Sequence, residues 1–137
     1  MKNSIKKGIA LLFVASALLL SSCSNQKHAE MKFEEQEFDF GKIIQGDKVT
    51  HNFKFANTGE TDLVIDNAKG SCGCTIPEYP KTPIKSGESG TIKVSFNSAG
   101  KSGEVEKTVT IICNTKNKME QIKIKANIEM PEKAQTN

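Results

Sequence analysis

Apolar and polar residues alternate in several segments of the chain after residue 36. The clearest alternation runs over residues 49–55, where Val49, His51, Phe53 and Phe55 are separated by polar neighbours. A period of two is typical of a strand with one buried face. The pattern predicts strands at these segments: residues 38–40, 49–55, 63–65, 70–76, 92–96, 105–113 and 122–128.

Glycine, proline and asparagine residues separate the predicted strands, and no stretch of the mature chain has the period of a convincing amphipathic helix. Short strands with one apolar face each can bury those faces when two sheets pack face to face. The sequence therefore predicts an all-β fold, an antiparallel β-sandwich of about seven or eight strands.

The amino terminus has the features of a lipoprotein signal peptide. Three lysines precede an uncharged apolar run over residues 8–20, which is too short to span a bilayer comfortably as a helix. The run ends in a leucine, two serines and Cys23, the order of a lipobox. We therefore predict that residues 1–22 are removed and that Cys23 carries the lipid, whose two acyl chains would give stable anchoring.

A lipid on Cys23 would place the rest of the chain outside the cytoplasm, in the cell envelope. The polar residues that follow predict a flexible tether, so that the lipidated cysteine and tether occupy residues 23–34. The sandwich is predicted at residues 35–130 and a tail at residues 131–137. Ser24, directly after the cysteine, favours the outer membrane if the organism has one.

The positive charge of the chain comes from its signal segment. The formal net charge is +3, and Lys2, Lys6 and Lys7 supply three positive charges with no acidic residue before Cys23, so the mature chain is near neutral. The chain has one tyrosine and no tryptophan, which offers little for base stacking. We therefore expect no nucleic-acid partner.

Cys72, Cys74 and Cys113 remain once Cys23 is lipidated, and their odd number allows at most one internal disulfide. One interpretation is a structural bond from Cys113 to Cys72 or Cys74 across the core, which would contribute about 4 kcal/mol. A second is a soft-metal site for an ion such as Cu(I), with Cys72 and Cys74 as ligands and Cys113 or His51 completing the set. A third is thiol–disulfide exchange, although no helix amino terminus activates these thiols.

No arrangement in the sequence is typical of catalysis. Carboxylates cluster before and in the first predicted strand without a nucleophile or metal motif, at Glu34, Glu35, Glu37 and Asp39. A Ser-His-Asp arrangement, a phosphate loop and a zinc-protease helix are also missing. His51, among apolar residues, is interpreted as a hydrogen-bonded histidine near a sheet edge. We predict no catalytic residue, no cofactor and no enzyme.

Several motifs resemble a known bacterial family. They are Phe-Asp-Phe-Gly-Lys-Ile at residues 38–43, Gly46, His-Asn-Phe-Lys-Phe-Ala-Asn-Thr-Gly at residues 51–59, Ser-Cys-Gly-Cys-Thr at residues 71–75, Ile-Lys-Ser-Gly-Glu at residues 84–88 and the strand at residues 92–96. The sequence is similar to the bacterial domain of unknown function 1573, which is related to immunoglobulin-like modules of the ciliary and major-sperm-protein kind. The resemblance covers about residues 38–114. It implies an immunoglobulin-like sandwich, often secreted or lipidated, and implies no established activity.

These observations predict a membrane-anchored, non-enzymatic interaction module with a protein partner in the cell envelope. Residues 77–83 are the candidate contact loop, because Tyr79 is the one amphipathic aromatic side chain available as an anchor. The same segment could equally cover a sheet edge. The alternative function is a soft-metal carrier that uses Cys72 and Cys74.

Overall fold

The alternating segments form the central strands of two packed sheets in the computed structural model, which describes residues 26–132. The strands are β1 (Met31–Phe33), β2 (Glu37–Ile44), β3 (Lys48–Asn57), β4 (Ile65–Gly70), β5 (Thr75–Glu78), β6 (Ser89–Asn97), β7 (Gly103–Cys113) and β8 (Met119–Glu129). Sheet A has the order β1-β3-β6-β5, and sheet B has the order β2-β8-β7-β4. The predicted all-β sandwich of seven or eight strands is confirmed.

One strand pair departs from the antiparallel arrangement that the sequence predicts. β2 runs parallel to β8, with Phe38 opposite Ile124, whereas the other strand pairs of the described region are antiparallel. The register of β2 shifts between Asp39 and Lys42, where Gly41 has a φ of 67°. Strand alternation predicts which face is buried but not the direction of the neighbouring strand, so the sequence could not reveal this pairing.

The inward faces of the two sheets form one continuous apolar core. Sheet A contributes Phe53, Phe55, Ile92, Val94 and Phe96, and sheet B contributes Val109, Ile111, Ile122, Ile124 and Ile128, all 3 % exposed or less. These residues occupy every second position of the central strands, as the period of two requires. The strands predicted at residues 49–55, 92–96, 105–113 and 122–128 are confirmed.

The amino-terminal boundary of the domain lies earlier than the sequence predicts. The predicted tether extends to residue 34, but Met31–Phe33 pairs with β3 at the edge of sheet A, and Ala29 bridges to Thr115. The side chains of Ala29 and Met31 are buried, and the Phe33 ring packs against Phe55 with centroids 5.7 Å apart. Alternate apolar residues fix this segment on the core. Within the described region, the buried hydrophobic residues extend from Ala29 to Ile128.

A turn replaces the single strand predicted over residues 70–76. β4 ends at Gly70 in sheet B and β5 begins at Thr75 in sheet A, so the chain crosses between the sheets here. The backbone N–H of Thr75 donates to the Cys72 carbonyl, 3.2 Å away, which closes the turn. At the predicted strand of residues 63–65, only Ile65 belongs to β4, while Leu63 forms an isolated bridge with Ile84.

Candidate functional site

A disulfide joins Cys72 and Cys74 within the turn of residues 71–75, which we call the cysteine turn. The two Cα atoms are 5.2 Å apart, within the ordinary range for a disulfide. Backbone hydrogen bonds hold both sides of the turn. Ser71 N–H donates to the Thr108 carbonyl at 2.8 Å, and Asn97 N–H donates to the Cys74 carbonyl at 2.9 Å. The turn is therefore attached to β7 of sheet B and to β6 of sheet A.

Thr75 places its hydroxyl group beside both sulfur atoms of the cysteine turn. Its Oγ1 lies 3.6 Å from Sγ of Cys72 and 3.8 Å from Sγ of Cys74. The residue is 3 % exposed, whereas both cysteines are half-buried and Gly73 is exposed. A hydroxyl group can donate a hydrogen bond to a sulfur atom or accept one from a thiol. Thr75 thus provides the buried polar group of this site.

A shallow groove of about 350 Å³ runs between β4 and β5 next to the cysteine turn. Ala68 and Lys69 line it from β4, and Ile76 and Pro77 line it from β5. Ile76 is 59 % exposed and is the most exposed large hydrophobic residue of the described region. The groove therefore combines apolar contact surface with the half-buried disulfide.

Cys113 is remote from the cysteine turn, and the predicted disulfide from Cys113 to Cys72 or Cys74 is wrong for this structure. Cys113 lies opposite Ile65 at the start of β4, whereas the cysteine turn follows Gly70 at its end. Five residue steps along a strand separate those ends by about 16 Å, far beyond disulfide range. Cys113 is a free thiol, 2 % exposed, with Sγ 3.6 Å from the Thr115 hydroxyl. It packs as a small core residue.

The residues of the alternative soft-metal site do not come together. Cys72 and Cys74 are joined to each other, and Cys113 lies at the other end of β4. The His51 ring stacks on Phe38 of sheet B, with centroids 3.5 Å apart, and its Nε2 lies 2.7 Å from the Glu35 carboxylate. Within residues 26–132 there is no cluster of three or more histidine, cysteine or acidic side chains able to hold a metal ion.

Tyr79, the predicted anchor residue, is engaged within the domain. Its hydroxyl donates to the Asp66 carbonyl at 3.2 Å, and the Lys81 Nζ lies 3.3 Å from the ring centroid. Tyr79 therefore links the end of β5 to β4. Pro77, within β5, has no N–H for an added strand. The two interpretations of residues 77–83, as a contact loop and as a segment that covers a sheet edge, both stay predictions.

The outer face of sheet A carries an unbalanced set of lysines. The strand residues that point outward include Lys32, Lys48, Lys54 and Lys93 but only one carboxylate, Glu78. We call this surface the lysine face. Lys93 pairs with Glu78 at 3.5 Å. The other three lysines have no carboxylate within 4.0 Å in the described region, although Glu30 and Glu34 flank the β1 edge.

The centre of the lysine face is polar and uncharged. The outward residues there include Thr50, Asn52, Thr91 and Ser95, and the hydroxyl oxygens of Thr50 and Ser95 lie 3.4 Å apart. Ile76 lies beside this row on β5, opposite Ser95. The sequence alone does not reveal this surface. Its lysines lie at polar positions of alternating strands, but only the pairing of β1, β3 and β6 shows that they share one face.

The outer face of sheet B differs because three of its four lysines are paired with carboxylates, and only Lys69 has none within 4.0 Å in the described region. Lys125 contacts Glu37 at 2.6 Å and Glu106 at 3.7 Å, and Lys123 contacts Glu106 at 3.0 Å. The hydrogen bond and the charge of Lys123 lower the pKa of Glu106. The hydrogen bond that Lys125 donates to Glu37 is the largest cause of the raised pKa of Lys125. These interactions leave less unbalanced charge for a partner than the lysine face does.

The chain belongs to a family that is described as "Protein of unknown function (DUF1573)". The family model matches residues 31–128, which include all of β1 to β7 and all of β8 except Glu129. No curated protein matches the sequence. The resemblance that the motifs indicated is therefore confirmed, and the family itself assigns no activity.

Solved structures show the same fold at low sequence identity. A protein of unknown function from Porphyromonas gingivalis W83 aligns with a TM-score of 0.65 and 20 % identity over 74 % of this chain and 47 % of its own. The ASH / PapD-like domain of human CEP192 gives a TM-score of 0.63 and 8 % identity over 86 % of this chain and 98 % of its own. The YadV chaperone gives a TM-score of 0.55 and 14 % identity over 72 % of this chain and 52 % of its own.

These similarities establish an immunoglobulin-like, PapD-like sandwich and carry no activity to this chain, which spans about half the length of the Porphyromonas protein. The predicted lipidation site, Cys23, lies outside the described residues. Among residues 26–132, no helix has the length and apolar character needed to cross a bilayer.

Proposed function

We propose that the protein is a lipid-anchored, non-catalytic binding module of the bacterial cell envelope, and that its lysine face binds an acidic surface of a protein partner. The observation that carries the proposal is the contrast between the two outer faces. Sheet B pairs three of its four outer lysines with carboxylates, whereas three of the four lysines of the lysine face have no carboxylate within ion-pair distance in the described region. Unpaired charge of one sign favours and orients encounter with the opposite sign.

Ile76 supplies the apolar part of the proposed contact. It is 59 % exposed on β5, level with the hydroxyl groups of Thr50 and Ser95. A protein interface gains most of its affinity from a few desolvated apolar or aromatic contacts, surrounded by polar groups that fix the orientation. One exposed isoleucine beside lysines and hydroxyl groups has this composition. The proposed partner therefore presents an apolar pocket rimmed by carboxylates.

The lipid anchor would hold this face close to a membrane. The His28 carbonyl accepts a hydrogen bond from Glu60 N–H at 3.0 Å, and the next residue is buried and bridges to Thr115, so the chain is attached to the domain by Ala29. Six residue steps separate it from Cys23, and a fully extended chain of that length spans at most about 20 Å. An anchored domain would thus meet partners in or near the same membrane. Mass spectrometry of the amino-terminal peptide tests the anchor, with Cys23→Ser as the variant that should lack the lipid.

Site-specific photo-crosslinking in intact cells tests the proposed binding face. A photoreactive residue at Thr91 lies on the lysine face, and one at Gln121 lies on the outer face of sheet B. We expect one defined protein adduct from position 91 and none from position 121. The charge-reversal pair Lys48→Glu and Lys54→Glu should remove the adduct, whereas Lys69→Glu on sheet B should keep it. Adducts from position 121 alone, or adducts that persist after charge reversal, would contradict the proposal.

A further inference from the structure

We propose that Cys72 and Cys74 form a reversible dithiol–disulfide couple that exchanges with a dithiol of another envelope protein, whose polypeptide enters the groove between β4 and β5. The geometry of the cysteine turn supports this proposal without the lysines of the lysine face, and the two proposed sites share only Ile76. It assigns a redox role to a bond that could otherwise be taken as a purely structural disulfide. Four features of the structure support it.

The first feature is that the fold does not depend on the bond. The disulfide joins residues separated by two positions, so the loop that it closes contains only three residues. Loop-closure entropy grows with loop length, so such a short loop gains little from the cross-link. The hydrogen bonds of Ser71 to β7 and of Cys74 to β6 already hold both sides of the turn. The reduced protein is therefore expected to keep the same fold.

The second feature is access to the sulfur atoms. The disulfide lies in a turn in which both cysteines are half-buried and Gly73 is exposed. A Cβ atom built on Gly73 would meet nothing within 4 Å, so there is open space above the turn. Cys113 is 2 % exposed and about 16 Å away along β4. The couple is thus confined to Cys72 and Cys74, and either one can resolve a mixed disulfide formed at the other.

The third feature is a group that can stabilise the leaving thiolate. The buried Thr75 hydroxyl lies 3.6 Å and 3.8 Å from the two sulfurs, so it can donate a hydrogen bond to whichever becomes negatively charged. A cation nearby would act in the same direction. Thr75 is a positioning residue for the exchange.

The fourth feature is a surface for the partner polypeptide. The groove of about 350 Å³ is lined by Ala68, Ile76 and Pro77, with the cysteine turn at its end. An extended segment in this groove would bring its own cysteine towards the disulfide. The exposed Ile76 side chain gives an apolar contact to such a segment. The substrate class is therefore a protein dithiol presented on an extended chain.

The exchange balances without a further cofactor. A thiolate of the partner attacks one sulfur of the Cys72–Cys74 bond, a mixed disulfide forms, and the bonding electron pair stays on the other sulfur as a thiolate. The second partner thiolate attacks the mixed disulfide and releases the remaining cysteine. The partner loses two electrons and two protons and becomes a disulfide, while Cys72 and Cys74 gain them as two thiols. A protein disulfide of the oxidising envelope restores the bond by the reverse steps.

Reduction of the folded protein is the decisive experiment. The chain from residue 24 to residue 137, which includes all buried residues of the described region, is used, and dithiothreitol serves as the dithiol probe. After native alkylation, intact mass should show two modified cysteines, with Cys113 unmodified. Circular dichroism should be unchanged, and oxidised dithiothreitol should restore the bond. Resistance to reduction until the domain unfolds, or loss of the fold upon reduction, would show that the disulfide has a purely structural role and would overturn the proposal.

Variants of Thr75 show whether the site promotes thiol–disulfide exchange or whether the disulfide is merely accessible to a reductant. Thr75→Val should slow reduction by about fivefold, the factor that one net hydrogen bond is worth, and should raise the pH at which the reduced thiols become reactive. Thr75→Ser retains the hydroxyl group and should restore the wild-type reduction rate and pH dependence. Thr91→Val, on the lysine face, is the matched control and should change neither. A Thr75→Val protein with the wild-type rate and pH profile would overturn the proposal. The Lys48→Glu and Lys54→Glu variants should exchange normally, so failure of either proposal can be recognised separately.

Discussion

Removal of the cysteine pair has a stability cost that can be calculated from the structure. The double variant Cys72→Ser, Cys74→Ser opens a loop of three residues. The chain-entropy relation gives about 1.6 kcal/mol for a loop of that length at 25 °C. A bond from Cys72 to Cys113 would instead close a loop of about 42 residues and contribute about 3.9 kcal/mol by the same relation. The two disulfide assignments therefore predict clearly different free energies of unfolding.

Urea unfolding followed by far-ultraviolet circular dichroism measures this difference, and the method suits a chain without tryptophan. We expect the double variant to unfold cooperatively with a loss near the smaller value. The reduced wild-type protein provides the matched comparison, since it lacks the bond but keeps both cysteine side chains. A loss of about 4 kcal/mol in both proteins would refute the assignment of a local bond in the cysteine turn.

Three further predictions concern stability. The Asn57 side chain is fully buried and donates to two carbonyl oxygens and accepts from two amides, so Asn57→Ala should cost about 3 kcal/mol in urea unfolding. A Cβ at Gly90 would lie 2.5 Å from Cζ of the buried Phe55 ring, so Gly90→Ala should cost about 1–3 kcal/mol by the same measurement. Lys123 lowers the pKa of Glu106, so this interaction stabilises the fold above the ordinary pKa of 4.5 and is lost as the pH falls through the lowered value. On acidification, the midpoint of thermal unfolding should therefore fall slightly less for Lys123→Gln than for the wild type.

Controls make each of these results interpretable. Asn52→Ala removes an exposed asparagine of the same strand, and an equal loss in both asparagine variants would contradict the role of the buried amide. Gly73→Ala introduces a methyl group into open space, and a cost equal to that of Gly90→Ala would contradict the steric argument. Identical acid dependence in the wild type and Lys123→Gln would show that the pair contributes nothing measurable, as many exposed pairs do.

The central strands could be predicted because their side chains follow a simple period. β3, β6, β7 and β8 each bury every second residue, so their faces are visible in the sequence alone. The parallel pairing of β2 with β8 could not be predicted, since the alternation of a strand contains no information about the direction of its neighbour. β1 was missed because three residues are too few to establish a period.

The cysteine site was only partly visible in the sequence. Cys72 and Cys74 were identified as the residues with chemistry, but a straight strand would place their side chains on one face without bringing the sulfurs together. The crossing between sheets bends the chain into a turn, and this tertiary requirement determines which cysteines pair. The distance to Cys113 likewise depends on the position of Ile65 opposite it, which no local pattern reveals.

The most direct test of the proposed binding face is lysine footprinting in the native envelope. Acetylation rates of Lys48, Lys54 and Lys93 would be measured in intact cells and in the purified domain, with the exposed Lys42 of sheet B as the internal reference. We expect these three lysines of sheet A to react several-fold more slowly in cells, while Lys42 reacts equally in both. Equal reactivity of all four lysines in the two preparations would contradict it.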